Sequence, residues 1–426
     1  MRMKFNKTSQ LLLVSAASLL AAGLMTACGT DTVDFVYVAS SQASNPADCS
    51  KPVPTSSTSC YGEIDVFEIN SVSGFMRQIP TSPFPSGGRN PVAEAVSSDY
   101  SNLYVVNKDD NTIVQFMIGS DGKLYPQNTV NTPGIFPLAA AVNGSNLFVV
   151  DTYQPLPACS NASPCSGSVG VFPLAAASGT GSSATPGGAP GSPVANPGNG
   201  ADYWPLTLSG KNSSDILLPT GVNVLASGAY LYVTAYDTTA NAGYVFGFTI
   251  GTGGVLSAVS GSPISVGVHP SAIASDSSSS YVYVTDSASG NVRGYSVASG
   301  VLSPLSGSPY PAGNQPSAIV VDPKYPFVYA ANSLDGNVSA YSIGSSGALT
   351  SVGTYAAGIQ PVAIGIDPGT YHFVFTVNFL GNGANGTVSD FEMSITAGTL
   401  INTQHSPYTS NALPTAVAAV PHNVTP

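Results

Sequence analysis

The chain of 426 residues is 43% hydrophobic and 9% aromatic but only 8% charged, and its formal net charge is −11. That hydrophobic content excludes a disordered chain despite 45 Gly and 34 Pro, and the acidic balance argues against nucleic acid and against an anionic lipid surface as partners. Few charges with plentiful Tyr, Phe, Gly and Pro fit an exported all-β domain with a large core.

Residues 1–27 read as a leader rather than as part of the fold. Arg2, Lys4 and Lys7 precede an apolar run from Leu11 to Leu24, too short to span a bilayer and of the length of a secretory core segment. Leu24-Met-Thr-Ala-Cys28 resembles a bacterial lipoprotein cleavage box, with Met25 where Leu, Val or Ile is usual. Cys28 is therefore expected to carry the lipid, residues 28–33 to form a short tether, and the membrane to be touched only through that anchor. Four cysteines then remain, an even number outside the cytoplasm, and the local pairs Cys49–Cys60 and Cys159–Cys165 are the expected disulfides. No CxxC pair exists, and no cofactor or metal is expected.

From Asp34 onward the chain repeats. Asp34-Phe-Val-Tyr-Val-Ala39 reads as a strand, and the first full unit opens at Pro91. The clearest copy is Pro316-Ser-Ala-Ile-Val-Val-Asp322-Pro323, followed by an apolar run Phe327 to Ala331, a Ser-Leu-Asp-Gly turn at 333–336, a run Val338 to Ile343 and a weaker one near Leu349 to Tyr355. Four short strands joined by turns make one antiparallel meander. The unit recurs at Pro91, Pro137, Pro219, Pro270, Pro316, Pro361 and Pro414, with Ala two residues after Pro in six copies and Gly221 in the other. Its second strand recurs as Tyr104-Val-Val-Asn107, Phe148-Val-Val-Asp151, Tyr283-Val-Thr-Asp286, Tyr329-Ala-Ala-Asn332 and Phe375-Thr-Val-Asn378. Periods of roughly 40–50 residues with four strands each are the mark of propeller blades.

The Pro137 unit is longer than the rest. Its extra residues, about 175–212, are rich in Gly, Pro, Ser and Ala and contain Trp204; an irregular insertion between third and fourth strands is expected. The chain ends decide the number of blades. Pro414 to Val420 is a first strand with nothing after it, and Asp34 to Ala39 is a second strand with nothing before it. Joined, they complete a ring. The expected fold is an all-β, seven-bladed β-propeller over residues 34–420, monomeric, with 421–426 as a tail.

In a four-strand meander the b–c and d–a turns share one face and the a–b and c–d turns the other. Both cysteine loops (40–60 and 152–167) and the long turns Tyr236 to Gly243 and Phe379 to Gly386 therefore project from the b–c face. Asp276, Asp322 and Asp367 hold the same place after three first strands and read as turn formers.

The Pro-x-Ala-Ile-x-x-Asp-Pro run, the Tyr-Val-x-Asn strand, and the step from Gly300-Val-Leu302 to Ser308-Pro309 resemble the lactonase-type seven-bladed propellers and the related YVTN-repeat surface proteins. The resemblance covers essentially all of residues 34–420. It implies the ring fold and, for the 6-phosphogluconolactonase-like and muconate-cyclase-like enzymes, Pro-Arg-His at the start of some inner strands, bringing cationic and acid–base groups to the central mouth. This chain reads Pro91-Val-Ala, Pro270-Ser-Ala, Pro316-Ser-Ala and Pro361-Val-Ala there, with neither Arg nor His.

The residue before each repeat proline belongs to the d–a loop at the mouth: Asn90, Phe136, Leu218, His269, Gln315, Gln360 and Leu413. Asn90, Phe136, Gln315 and Gln360 are the expected ligand-binding residues, and a mouth half polar and half apolar suits an uncharged ligand. Glu94 stands where the other copies have Ala140, Val222, Ile273, Ile319, Ile364 and Val417. A carboxylate in that register needs a partner, expected to be Arg89 or Lys108, or a raised pKa. Glu94, His269 and Arg89 form the candidate catalytic set. GxSxG, GxxxxGK[ST] and HExxH are absent; Lys108-Asp-Asp-Asn111 reads as a solvated turn, and His372, His405 and His422 are scattered.

Two functions from different classes follow. One is a non-catalytic envelope propeller whose mouth and disulfide-tied loops bind a small uncharged molecule, a glycan or a protein partner. The other is a lactonase-like hydrolase opening a sugar lactone or similar cyclic ester.

Overall fold

The computed structural model describes residues 32–41, 61–157, 159–177, 187–209, 215–381 and 385–422, so Cys28 and the Cys49–Cys60 pair lie outside the described residues. Seven antiparallel sheets of four strands follow one another around a ring. Blade 1 takes its inner strand from the C-terminus, Leu413–Pro421, and its next two from Thr32–Ser41 and Glu63–Asn70. Blade 2 begins at Pro91–Val96, blade 3 at Ile135–Val142, blade 4 at Leu217–Val224, blade 5 at Pro270–Ser275, blade 6 at Pro316–Val321 and blade 7 at Ile359–Ile366. Among the described residues no helix is long and apolar enough to cross a membrane.

Ring closure follows the predicted pairing. Phe35 lies opposite Val420, Tyr37 opposite Ala418 and Val38 opposite Val417. Buried Asp65 of blade 1 pins the loop that leads into this strand, accepting hydrogen bonds at 3.0 Å from Ser410 Oγ and from the Asn411 amide.

The repeat signature maps onto three local devices. In every blade the residue after the repeat proline is skipped in the pairing of first and second strands, so each inner strand carries a bulge there. The bulge bends the inner strand where it starts, and its side chain either packs on a cluster, as Val92, Leu138 and Val362 do, or reaches the next blade. Ser271, Ser317 and Thr415, all bulge residues, donate to the carbonyls of Pro316, Pro361 and Pro91 in the next blade at 2.5, 2.7 and 2.6 Å.

The second device is the second-strand tyrosine. Tyr37, Tyr104, Tyr232, Tyr283 and Tyr329 are buried, and their hydroxyls donate to the carbonyls of Gly122, Gly188, Gly300, Gly347 and Gly398 in the following blade. A buried phenol needs such an acceptor, and each bond contributes about 1 kcal/mol net. Blade-to-blade packing supplies the rest. Ile319 and Val328 of blade 6, for example, pack with Tyr283 and Val292 of blade 5 in one buried cluster.

The third device is the Ser-Pro ending, at which the outer strand of blades 1, 4, 5 and 7 is split in two. Ser82, Ser262, Ser308 and Ser406 accept through Oγ the third-strand amides of Val66, Gly247, Gly294 and Asp390, replacing the ladder bond lost at the break. On the opposite turns Asp276, Asp322 and Asp367 each accept backbone amides two to five residues ahead, as turn formers do.

The insertion lies between Ser168–Pro173 and Trp204–Pro205, the third and fourth strands of blade 3. Trp204 is an ordered residue of the insertion, most of which the sequence suggests to be irregular. It forms the outer strand, is 6% exposed, and donates through Nε1 to the Leu256 carbonyl of blade 4 at 3.0 Å. Gly188, within the insertion, supplies the carbonyl that Tyr104 requires, so this stretch does the work of an ordinary c–d turn.

Candidate functional site

The d–a loops at the mouth are shaped by the last residue of each second strand. Asn107, Asp151, Asp286, Asn332 and Asn378 are fully buried, and a Cβ on Gly88, Gly134, Gly267, Gly313 or Gly358 would come within 2.0 to 2.7 Å of them. Glycine three residues before the repeat proline is thus what lets the loop descend onto the strand end. The polar end groups then hold the loop: Asp286 accepts the Val268 and His269 amides at 3.1 Å each, and Asn332 accepts the Gly313 amide at 3.1 Å. Burial works against the Asp286 charge, but those amides, with Ser289 and Arg293, outweigh it and keep its carboxyl below the usual range.

The loop residues chosen from the sequence share an unusual backbone. Asn90, Phe136, Gln315 and Gln360 have φ of 55°, 56°, 52° and 57°, left-handed and directly before proline. Non-glycine residues avoid this region, and four instances at equivalent positions show a loop held by its surroundings to present these side chains.

Two neighbouring clefts open among them. The first, about 480 Å³, lies over blades 5 and 6 and is lined by Asn241, His269, Ser271, Ser287, Gln315 and Ser317. The second, about 610 Å³, lies over blades 6 and 7 and is lined by Gln315, Gln360, Asp335, Leu334, Ile359 and Leu380. Gln315 and Ser333 belong to both. His269 stacks on Tyr236 with ring centroids 4.1 Å apart, and its Nδ1 is 3.0 Å from Ser287 Oγ. Among the described residues no Lys or Arg lines either cleft, and Asp335, the one carboxylate among them, is engaged by Asn314 through both its amide and its side chain.

Phe136 stands apart from these clefts, edge-on to Tyr153 at 6.2 Å in blade 3. Asn90 lies in blade 2, its Nδ2 3.3 Å from Asp109. Arg89 is paired with Asp110, Nε to Oδ1 at 2.5 Å, and not with Glu94; the same Asp110 accepts the Arg89 amide, so the Lys108-Asp-Asp-Asn111 turn locks the loop before it. Glu94 lies opposite Val105 on the side of its sheet that faces blade 1. Both its carboxyl oxygens are enclosed without a hydrogen-bond partner. Burial pushes its pKa well above the ordinary carboxylate range, and the nearby Ala418 amide, short of hydrogen-bonding geometry, offsets this only in part. Glu94, Arg89 and His269 therefore do not gather around one cleft. Sequence reasoning missed Ser271 and Ser317, which line the first cleft; the signal was the Pro-Ser-Ala triplet in two adjacent copies.

Comparison with solved structures agrees with this architecture. A proposed 6-phosphogluconolactonase from Bacteroides fragilis superposes with a TM-score of 0.67 at 20% identity, covering 92% of this chain and 99% of that one. The periplasmic gluconolactonase of Pseudomonas aeruginosa gives 0.64 at 19% identity, covering 91% and 99%. The fold is that of a lactonase-like propeller. No family model and no curated protein matches the chain. At such identities the likeness shows the fold alone. Cys159 and Cys165 of this propeller form the expected disulfide, with Cα atoms 5.6 Å apart, at the tip of a b–c loop.

Proposed function

We propose that this lactonase-like propeller is an exported, lipid-anchored binding protein that holds a small uncharged molecule or glycan over blades 5 to 7, without turning it over. One observation carries the reading. The polar side chains lining the two clefts are amides, hydroxyls, one imidazole and the Asn314-engaged carboxylate of Asp335, and among the described residues no Lys or Arg joins them to pair with an anionic ligand. A phosphorylated sugar finds no Arg or Lys there, whereas a neutral polyol does find complementary groups.

Export is supported by the disulfide, which persists in oxidising compartments. Cys28→Ala should move the protein from the membrane fraction to the soluble one; unchanged membrane retention would refute the anchor.

A second reading keeps its place because His269 lines a cleft. With Nδ1 set by Ser287, the free Nε2 of a neutral His269 would accept a proton from water attacking a lactone carbonyl. Neither Glu94 nor Arg89 lines that cleft to assist. Calorimetry of the purified protein with glucose and neutral oligosaccharides, run beside a hydrolysis assay on sugar lactones, separates the two. Binding without turnover is expected. Lactone opening that His269→Asn abolishes would replace the binding reading with the hydrolytic one.

A further inference from the structure

The two clefts differ in chemistry, and the difference is spatially ordered. The first, over blades 5 and 6, is lined by the polar side chains of Asn241, His269, Ser287 and the bulge serines Ser271 and Ser317, with no large aliphatic side chain among them. The second gathers three of the most exposed large apolar side chains of the described surface, Leu334 at 66%, Ile359 at 54% and Leu380 at 43%. Single exposed leucines are ordinary, but three converging in one cleft are not. Ile359 and Leu380 are cross-strand partners at the b–c end of blade 7, and Leu334 comes from the b–c turn of blade 6, so the group forms where two blades meet. Gln315 and Ser333 lie between the clefts and line both, making one continuous surface whose large aliphatic side chains are all at one end.

We propose that the ligand is an uncharged amphiphile: a sugar- or lactone-sized polar head in the blade 5–6 cleft, joined to an alkyl chain laid over Leu334, Ile359 and Leu380. This rests on the reading of the mouth as the binding site and adds to it the ligand class. The apolar cleft gains an occupant because it continues the polar one, and a ligand confined to the first would leave those side chains in water. The left-handed Gln315 and Gln360 place amides along the path, where they bond the head or the linkage without requiring charge. With no Lys or Arg lining either cleft among the described residues, a neutral head fits better than a carboxylate or phosphate.

The test uses n-alkyl β-glucosides of four to eight carbons, kept below their micelle concentrations, with glucose as the chainless control. Affinity should rise about twofold to fourfold per added methylene, the range for partial to full burial of each group. The double variant Leu334→Asn/Leu380→Asn should flatten that dependence, drawing the affinity of the eight-carbon glucoside down toward that of the four-carbon one. Gln315→Ala should weaken every member of the series. Glucose binding with no dependence on chain length would overturn the amphiphile while leaving the mouth as the site. Chain-length dependence that survives intact in the double variant would also overturn it, since the chain would then lie elsewhere. Failure of glucose and all glucosides to bind would remove both readings.

Discussion

A chain truncated before Leu413 should not fold to a stable monomer. Leu413–Pro421 is the inner strand of blade 1, and it is the one strand that joins the two ends of the ring. Its loss exposes one long edge of Thr32–Ser41, strips Val417 and Val420 from the clusters facing blades 7 and 2, and removes the Thr415 hydroxyl from the Pro91 carbonyl. Each large apolar side chain that goes is worth about 1.5–3 kcal/mol, and an unpaired edge with buried-type side chains is a template for association. Size-exclusion chromatography should show aggregate, and near-ultraviolet circular dichroism should lose the tyrosine signal. A monomeric truncation with an unchanged urea midpoint would mean that the ring does not depend on its closing strand.

The second large effect is a gain. Glu94→Ile should raise stability at pH 8, by an amount on the order of a few kcal/mol, because it restores the side chain found at Ile273, Ile319 and Ile364 of the other blades. Below the ordinary carboxyl pKa, Glu94 is neutral folded and unfolded, so its titration has no effect on stability. Above it the unfolded chain releases a proton that the folded chain keeps, and stability falls with rising pH until the folded group also ionises. Asp34 acts in the same sense beside the same closing strand. It is paired opposite Pro421, and burial, followed by the charge of Asp367, pushes it up to about 8. The closing seam of the wild-type protein should therefore weaken between about pH 4 and 8. Urea midpoints measured across that range should show the advantage of Glu94→Ile growing with pH. An advantage that is constant with pH would show that the carboxyl is already ionised in the folded state.

Much of this molecule could be read along the chain because its repeat is local. Pro-x-Ala, Tyr-Val-x-Asn and Gly-x-Leu to Ser-Pro each mark a strand and its turn within a few residues, and seven copies with split ends leave a closed seven-bladed ring as the solution. The positions of the d–a loops were legible for the same reason, since each precedes a repeat proline. What their residues meet was not. His269 stacks on Tyr236 of the preceding blade, and Arg89 turns to Asp110 instead of Glu94. Trp204 leaves its Gly- and Pro-rich surroundings to form an outer strand because blade 4 offers it a carbonyl and an apolar wall. The grouping of Leu334, Ile359 and Leu380 likewise depends on two blades standing side by side. Sequence by itself determined the repeat, most of its strands and the number of blades, since these follow from backbone propensity and a side-chain period of two. Only the tertiary structure decided which groups from different blades face one another, because the clefts form between sheets and no single repeat encodes its neighbour.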